Sequence, residues 1–375
     1  MYKTSELVFS PRIRKSPYFN STIKYGAKLF SVYNHMYLPV SYEGTIEDYK
    51  NLLNGVQLWD VGVERQIQIK GPDAEDLSQF LTPRNIKKCA KGQAMYAPLL
   101  DFNGCFLNDP VMLKIADDCY WFSLSDGDSL LWAQAIAAGY KYNVEVTEPD
   151  VSPLQVQGPN ATKLMTKVFG DWVNELAFYR FKELNHQGIP LIIARMGYSK
   201  ELCYEIFLQD HSQGDELWKM LWEAGKDLNI SAGGPNIILR LEGGILSYLA
   251  DIDRTNNPFE VGLGGMMDLD QEDDFIGKEA LRSISRNGVK RKLMGAEIVG
   301  DPILHSNTNP WPVFLHGKNI GSMNALAYSP RLNKNLCYVM LDAEHAKIAS
   351  EITIDSPGKE LTAITVELPW LGRAK

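Results

Sequence analysis

Cysteine is scarce in this sequence, and its arrangement argues against two kinds of site. The chain has five cysteines among 375 residues. The number is odd and no C-x-x-C pair occurs, so neither a disulfide framework nor a zinc site is indicated. The six histidines are scattered without an H-x-x-x-H pair, and we expect no metal site. A reducing compartment fits this cysteine usage, and we expect a cytoplasmic protein.

Long apolar runs and an excess of positive charge are also missing. No apolar run approaches the roughly 20 residues of a membrane span, and the polar residues 1–20 lack the apolar core of a signal peptide. The formal net charge of −8 argues against nucleic acid or an anionic membrane as a partner. The length allows two or three domains.

A strand, a Gly-Pro break and a helix start occur twice in the sequence. The first copy spans residues 67–74 and the second spans residues 155–161, with Asp73 and Asn160 as the predicted N-cap residues. Two copies of this arrangement indicate two related α+β units. From Lys290 onward short apolar runs alternate with turns, which is typical of a separate small β domain or barrel.

Two helices are predicted in the second half of the α+β region. An amphipathic helix is expected over residues 215–228, and another over about 236–249. The second would carry Gly243 and Gly244 in its interior. Glycine destabilises a helix interior, so close packing against another backbone is the expected reason for both.

A turn at Asn103-Gly104 precedes a strand that begins near Val111, and Asp109 stands between them. The local pattern alone fits a capped turn. It also fits a carboxylate held at the rim of a pocket, and both interpretations remain open at this point.

One carboxylate, Glu205, interrupts the apolar strand of residues 204–208. An unpaired carboxylate is costly to bury, so this side chain must find hydrogen-bond donors. A backbone amide or an arginine would serve. So would a heterocycle that presents two parallel N–H groups, and the local sequence does not separate these alternatives.

Residues 120–125 alternate as a strand should, which places Trp121, Ser123 and Ser125 on one face. If the opposite face is core, this face offers a ring and two hydroxyl groups to a cleft or to solvent. An aromatic cluster of core or ligand-binding type follows, and it begins at Trp172.

Several longer strings resemble the folate-dependent aminomethyltransferase family, the T-protein of the glycine cleavage system. Residues 104–111 are similar to its "G-G-x-x-D-D-x-x-V", with Asn108 and Cys105 as departures. The others, in chain order, are residues 197–205 (GYSKELCYE), 239–244 (LRLEGG), 251–264 and 275–281 (FIGKEAL). Residue 200 is Lys where the family has Gly. The resemblance covers about residues 42–371.

This resemblance implies an α+β fold of three domains in a cloverleaf, with two related α+β domains and a C-terminal domain like a β-barrel. The first domain would combine residues 1–55 and 145–240, and the second residues 56–144 and 241–289. Residues 290–375 would form the third. Tetrahydrofolate would enter a central hole.

The same resemblance implies roles for individual residues. Glu205 would pair with the N–H groups of the pterin, Tyr198 would flank it, and Arg240 would meet the glutamate tail of the folate. Asp109 would lie near the folate nitrogens, where one-carbon transfer occurs, and would be the catalytic residue.

Residues 33–39 and 59–66 resemble a branch of the family, the bacterial dimethylsulfoniopropionate demethylases. This second resemblance implies methyl transfer from a small sulfonium substrate to tetrahydrofolate, and it suggests a homodimer. Because cations bind aromatic faces, Trp172 and Trp121 are expected to contact the sulfonium. Ser123 is expected to hydrogen-bond the substrate carboxylate or a water. The alternatives are the glycine-cleavage aminomethyltransferase and a non-catalytic folate-binding regulator.

Overall fold

The computed structural model describes residues 8–372, which are built around a six-stranded sheet, a five-stranded sheet and a closed six-stranded barrel. Residues 1–7, where the polar N-terminal stretch begins, and residues 373–375 lie outside the described residues. Between residues 8 and 372, no helix is both long enough and apolar enough to cross a membrane.

The described residues form eight α-helices and four short 3-10 helices. The α-helices are α1 (Phe19–Lys24), α2 (Thr45–Asn54), α3 (Ala74–Leu81), α4 (Leu130–Tyr140), α5 (Ala161–Phe169), α6 (Gly214–Ala224), α7 (Ile237–Glu242) and α8 (Lys278–Asn287). The 3-10 helices are Ile86–Lys88, Asp171–Glu175, His211–Gln213 and Gly264–Met266.

The two α+β units each contain one sheet. The six-stranded sheet has the order β12 (Phe181–His186), β13 (Ile189–Ala194), β14 (Cys203–Leu208), β11 (Ser152–Gln157), β3 (Val56–Asp60) and β15 (Ile230–Gly233). The five-stranded sheet has the order β10 (Glu145–Thr147), β4 (Gln66–Lys70), β9 (Cys119–Ser123), β8 (Val111–Ala116) and β5 (Gln93–Tyr96). Only the β15–β3 pair is parallel within these two sheets.

The C-terminal unit is a closed barrel. Its order is β16 (Arg291–Ile298), β19 (Lys334–Asp342), β18 (Lys318–Ser329), β17 (Trp311–Leu315), β20 (Glu351–Ser356) and β21 (Lys359–Val366). Two small antiparallel pairs complete the strands: β1 (Leu29–Tyr33) with β2 (Met36–Ser41), and β6 (Leu99–Leu100) with β7 (Phe106–Asn108). The expected α+β fold with a C-terminal barrel is confirmed.

The two large sheets face each other, and their helices cover the outer faces. Trp121 and Leu113 of the five-stranded sheet pack in one cluster with Phe207 and Ile192 of the six-stranded sheet. Behind them, α5 and α6 close a second cluster on the six-stranded sheet, and α3 and α4 close a third on the five-stranded sheet. Side chains that alternate on β9 and β14 therefore point either to a helix layer or to the space between the sheets.

The predicted repeat is confirmed as β4–α3 and β11–α5. Gly71 and Gly158 both have φ in the left-handed region, at +141° and +119°, where glycine is favoured. Asp73 and Asn160 occupy the N-cap positions, but neither side chain caps its helix. Asp73 instead accepts a hydrogen bond of 2.7 Å from the backbone N–H of Asn143.

Both predicted helices are shorter than expected. The first is α6, which ends at Ala224 before Gly225, rather than at residue 228. The second is α7, which ends at Glu242, so Gly243 and Gly244 terminate the helix instead of lying inside it. Gly244 adopts φ +65°. A side chain there would meet Pro369 at 2.8 Å, so the expected close packing is present although the helix is not.

The division of the chain into domains stays a prediction, but two strands lie across its proposed boundaries. Val56–Asp60 was placed in the second domain, yet it pairs with β11 in the six-stranded sheet. Glu145–Thr147 was placed in the first domain, yet it pairs with β4 in the five-stranded sheet. Strand pairing decides which sheet each strand joins, and the sequence pattern does not specify that pairing.

A buried carboxylate joins the barrel to the first α+β unit. Glu242 is fully buried and accepts hydrogen bonds from Tyr49 at 2.8 Å and from Ser329 at 2.5 Å. Arg331 completes the set with an ion pair to Glu242 and a second one, at 3.0 Å, to Glu201. Because Glu201 lies in the loop after Tyr198, the barrel also anchors that loop.

Arg331→Met should lower the free energy of unfolding by about 1.5 to 3 kcal/mol, because it removes a charged hydrogen bond from a buried carboxylate. Lys334→Met is the matched control: the Lys334–Glu297 pair lies on the same barrel, but the lysine side chain is 49% exposed. We expect a loss of at most about 1 kcal/mol there. Urea unfolding of both variants checks the difference, and equal losses would contradict it.

Candidate active site

Glu205 lies on β14 and points into the space between the two sheets. Its neighbours Tyr204 and Ile206 belong to the cluster under the helices, whereas Phe207, two residues on, belongs to the cluster between the sheets. The carboxylate is 3% exposed. Its Oε2 accepts a hydrogen bond of 3.2 Å from Gln155 Nε2, while Oε1 is buried without a partner.

A directed chain of hydrogen bonds holds Glu205 in place. Ser199 Oγ donates to Gln157 Oε1 at 2.5 Å, Gln157 Nε2 donates to Gln155 Oε1 at 2.5 Å, and Gln155 Nε2 donates to Glu205. The buried amides can point only one way, because each carbonyl oxygen is already occupied. The chain therefore fixes Oε2. Oε1 has no N–H donor and no Ser, Thr or Tyr hydroxyl donor among the described residues, so only the neighbouring carboxyl group of Glu64 or a ligand could donate to it.

Asp109 follows β7 and precedes β8. Its carboxylate accepts hydrogen bonds from the hydroxyl groups of Ser125 and of Tyr96, the latter at 3.4 Å. Burial raises the pKa of Asp109 to about 7, although both hydrogen bonds oppose the shift. The group therefore changes charge near neutral pH, which suits an electrostatic or proton-transfer role better than a turn cap.

Asn108 and Asn34 position Ser125 for its bond to Asp109. The Asn108 amide donates to the carbonyl oxygens of Ser125 and Asp126, both at 3.1 Å, and accepts from the Ser125 N–H at 2.9 Å. The Asn34 amide donates to the Ser125 carbonyl at 2.9 Å and to the Val63 carbonyl at 3.0 Å. An aspartate at position 108 would lack the two donors, so the departure from the family string has a structural use.

Glu64 is a third carboxyl group in the same space. It is partly buried and lies within hydrogen-bonding distance of Glu205. Burial first, and then the charge of Glu205, raise the pKa of Glu64 well above its usual range. Burial raises the pKa of Glu205 to about 7. Both shifts have the same direction, so the pair resists ionisation more strongly than two exposed glutamates would.

Four tyrosines surround the carboxyl cluster, which we define as Glu64, Asp109 and Glu205. Burial raises the pKa of every one of their hydroxyl groups, and the charges of cluster members add to the effect. The four are Tyr33, Tyr96, Tyr179 and Tyr198. All four hydroxyls stay protonated at neutral pH, and each tyrosine lies near a carboxyl group of the cluster.

The carboxyl cluster has no cationic partner in the chain. Between residues 8 and 372, no lysine, arginine or histidine forms an ion pair with any of its three members. Nor do the described residues contain a group of three or more His, Cys, Asp or Glu side chains arranged to hold a metal ion. The uncompensated negative charge among aromatic rings is suited to an organic cation.

Tyr198 and Arg240, the two other residues expected to contact folate, have different surroundings. Tyr198 lies beside Asp109, and its hydroxyl donates to the Leu246 carbonyl at 2.8 Å. Arg240 is buried and forms an ion pair with Asp251, whose side chain is also fully buried. A guanidinium whose charge is neutralised inside the protein does not fit the role predicted for Arg240, contact with the folate tail.

None of the three residues predicted to bind the sulfonium substrate forms a hydrogen bond to the carboxyl cluster within residues 8–372. Trp172 packs on the helix side of the six-stranded sheet, its N–H donates to Phe169 at 2.7 Å, and Lys182 already lies 4.5 Å from its ring centroid. Trp121 is buried between the sheets, and its N–H donates to Gln68 at 3.0 Å. Ser123 is buried and accepts from Gln66 at 2.8 Å. The alternation of side chains along β9 correctly places Trp121 and Ser123 on one face of the strand, but both side chains on that face are buried.

Sequence reasoning missed Glu64, Tyr33 and Asn34 as members of the site. All three lie in residues 33–39 and 59–66, the strings that carry the second resemblance. Tyr33 ends β1, and Asn34 begins the hairpin turn that follows, where it has φ +50°. Glu64 follows a short turn after β3. A signal was therefore present, but nothing in the local pattern connected these turns to Asp109 or Glu205.

Two protein-family models match the chain, one over the α+β region and one over the barrel. Residues 18–271 match the GCVT N-terminal domain, and residues 291–371 match the glycine cleavage T-protein C-terminal barrel domain. Among solved structures, the glycine cleavage system aminomethyltransferase T from Bartonella henselae aligns with a TM-score of 0.85 at 20% identity. That alignment covers 96% of this chain and 98% of the other, so the fold is the same.

Two characterised relatives extend the match over the whole chain. The dimethylsulfoniopropionate demethylase DmdA of Ruegeria pomeroyi is 40% identical over 348 residues, which are 93% of this chain and 94% of that protein. An aminomethyltransferase of Lysinibacillus sphaericus is 30% identical over 374 residues, or 97% of this chain and 99% of that protein. With both family domains present in the family's order, the chain belongs to the glycine cleavage T-protein family.

Proposed function

We propose that this protein transfers a methyl group from dimethylsulfoniopropionate to tetrahydrofolate, and so forms methylthiopropionate and 5-methyltetrahydrofolate. The observation that carries this proposal is the carboxyl cluster, whose charge has no cationic partner among the described residues. A sulfonium substrate supplies that cation. The 40% identity to a protein named as a demethylase of this compound supports the choice of substrate.

Glu205 fits the pterin ring of tetrahydrofolate. A buried carboxylate oxygen without a donor is costly, and Glu205 Oε1 has no donor among the described residues other than the carboxyl group of Glu64. The pterin has an amino group and a ring N–H that point in parallel, so an ionised Glu205 would accept from both. Tyr198 would lie against the ring, as the family resemblance implies. Bound tetrahydrofolate supplies the nitrogen N5 as the methyl acceptor.

Asp109 and the tyrosines would act on the sulfonium. An aromatic face contributes about 0.5 to 2 kcal/mol to binding a cation, more where the cation is desolvated. As the methyl group moves, the sulfur keeps the electron pair of the broken C–S bond and leaves as a neutral thioether. No proton is needed on the leaving group. Ionised Asp109 would hold the cation in line with the acceptor and take the proton that the acceptor nitrogen releases.

The aminomethyltransferase reaction is the competing function, since a relative of that name covers nearly the whole chain. That reaction expels an amine, so protonation of the leaving group matters more. The Asn108 side chain cannot supply a proton, and its donors and acceptor are engaged by residues 125 and 126. This engagement favours the demethylase.

We also propose a cytoplasmic location and a homodimer. All five cysteines are free, as is usual in a reducing compartment. The homodimer rests on the resemblance to the demethylases, and exposed apolar side chains on β1, Leu29 at 60% and Val32 at 41%, offer a face for it. Sedimentation velocity tests the dimer: a mass equal to one 42.2 kDa chain would overturn it.

Glu205→Ala should weaken tetrahydrofolate binding by about 1.5 to 3 kcal/mol, the contribution of charged hydrogen bonds. Titration calorimetry measures the affinity directly. Glu183→Ala is the control, because Glu183 is an exposed carboxylate on an edge strand of the same sheet. Wild-type affinity in a folded Glu205→Ala variant would remove Glu205 from the folate site.

Activity should rise with pH around pH 7, because Asp109 must lose its proton to attract the sulfonium. At saturating tetrahydrofolate, Asp109→Asn should lower kcat without abolishing it and should remove this rise, since the amide cannot ionise. Asp109→Ala should lower kcat further, because it also removes the hydrogen bonds that Ser125 and Tyr96 donate to this side chain. An unchanged pH profile in Asp109→Asn would exclude Asp109 as the titrating group.

Mass analysis of the folate product tests the choice of methyl donor. Purified protein is supplied with tetrahydrofolate and either dimethylsulfoniopropionate or an aminomethylated lipoyl carrier. We expect 5-methyltetrahydrofolate from the sulfonium. Methylene-tetrahydrofolate and ammonia from the carrier alone would identify an aminomethyltransferase. Tight folate binding with no product from either donor would identify a folate-binding regulator.

A further inference from the structure

Arg84 lies close to the site but has no part in the functions assigned so far. It follows α3, just before the 3-10 helix Ile86–Lys88. The buried side chain of Gln79 fixes this turn: its amide donates to the Arg84 carbonyl at 2.8 Å and accepts from the Ile86 N–H at 3.0 Å. The backbone that carries the guanidinium is therefore held in place.

The guanidinium itself has no partner. Across residues 8–372 it makes no hydrogen bond and no ion pair, and its Nη1 is buried without an acceptor. The acid that acts on it, Asp268, is already bound by Lys88 at 2.8 Å and by Asn85 at 3.4 Å. Burial lowers the pKa of Arg84, yet an arginine remains charged in a protein. A charged donor in this state is costly unless a ligand accepts from it.

Two tyrosines connect Arg84 to the carboxyl cluster. Tyr179 and Tyr96 are its principal electrostatic neighbours. Tyr96 donates to Asp109, and Tyr179 lies near Glu205. Arg84 and the acids therefore have the same two tyrosines as neighbours, and no ion pair forms between them among the described residues.

The backbone of Tyr179 is held in an unusual conformation. Its φ of +58° lies in the left-handed region, which costs energy for a large side chain. Hydrogen bonds at both of its backbone groups maintain it: the N–H donates to Arg195 at 3.0 Å, and the carbonyl accepts from Ala94 at 2.8 Å. The hydroxyl makes no hydrogen bond within the described residues. Strain of this kind is characteristic of functional sites.

We propose that Arg84, with the hydroxyl group of Tyr179, binds the carboxylate of the sulfonium substrate. This inference rests on the proposed function and assigns the anionic end of a zwitterion whose cationic end faces the carboxyl cluster. The guanidinium fork matches a carboxylate. The glutamate tail of folate also carries carboxylates, but the p-aminobenzoyl group separates them from the pterin. Arg84 and Glu205 share Tyr179 as a neighbour, so the small substrate fits better.

Arg84→Gln and Arg84→Lys test the assignment with two pairs of probes. The first pair is dimethylsulfoniopropionate and its methyl ester, which keeps the sulfonium but has no carboxylate. The second pair is tetrahydrofolate and tetrahydropteroate, which lacks the glutamate tail. Rates are measured with the first pair and affinities with the second. Arg286→Gln, on the exposed face of α8, controls for loss of a surface arginine.

We expect Arg84→Gln to lower kcat/KM for the acid by about 10-fold to 100-fold, mainly through KM, because a charged hydrogen bond is lost. The ester should react equally in wild type and variant. Arg84→Lys should have a kcat/KM for the acid between those of the wild type and Arg84→Gln, because lysine keeps the charge but not the two parallel donors of the guanidinium. A purely structural role would affect acid and ester alike, and that result would overturn the proposal.

The folate arm separates the two sources of a carboxylate. A loss of affinity for tetrahydrofolate but not for tetrahydropteroate would show that Arg84 binds the tail, and would overturn the substrate assignment. If the wild type does not demethylate the sulfonium, the proposed function fails. In that case only the folate affinities test whether Arg84 binds a carboxylate. If the ratio of the affinities for tetrahydrofolate and tetrahydropteroate is the same in Arg84→Gln and in wild type, Arg84 binds no carboxylate and the proposal is overturned.

Discussion

The burial of three carboxyl groups without a cation is the constraint on which the site depends. Glu64, Asp109 and Glu205 share the space between two sheets, and burial raises the pKa of each. The folded state therefore binds protons more tightly than the unfolded chain. Because the folded state binds more protons than the unfolded chain, the free energy of unfolding falls as pH rises from about 4 through about 7. A fold that keeps them despite this loss keeps them for binding.

Neutral amides, rather than arginines, hold these carboxyl groups and their partners. Gln155 and Gln157 direct Glu205, and Asn108 and Asn34 direct the hydroxyl group that reaches Asp109. An amide fixes geometry through its donor and acceptor but adds no charge. The negative potential of the cluster thus remains available to a cationic ligand, whereas an arginine at any of these positions would neutralise it. The buried Arg240–Asp251 ion pair, in contrast, joins two opposite charges that neutralise each other.

Most of the fold was predictable from the sequence, because periodicity and the repeated Gly-Pro break are local signals. Glu205 was singled out by its pattern, because an isolated carboxylate in an apolar strand needs a donor, and Asp109 by the family resemblance. Their roles stay predictions, as do those of Trp172 and Arg240. The sequence could not show that Trp172 packs on the helix side of its sheet, because an aromatic cluster has the same pattern on either side. Nor could it show that Arg240 pairs with Asp251, which lies beyond the end of α7. The members that were missed, Glu64 and Tyr33, come from turns whose meeting depends on how the sheets face each other.

The change at position 108 explains how one family scaffold can serve two leaving groups. An amine leaves more readily when it is protonated, so an acid beside Asp109 has a use in that chemistry. A thioether leaves without a proton, and position 108 is then free to take a structural role. Here Asn108 makes three hydrogen bonds to residues 125 and 126, and so sets the hydroxyl that acts on Asp109. Burial raises the pKa of Asp109 to about 7. In the reaction that we propose, this acid therefore places charge rather than delivers a proton.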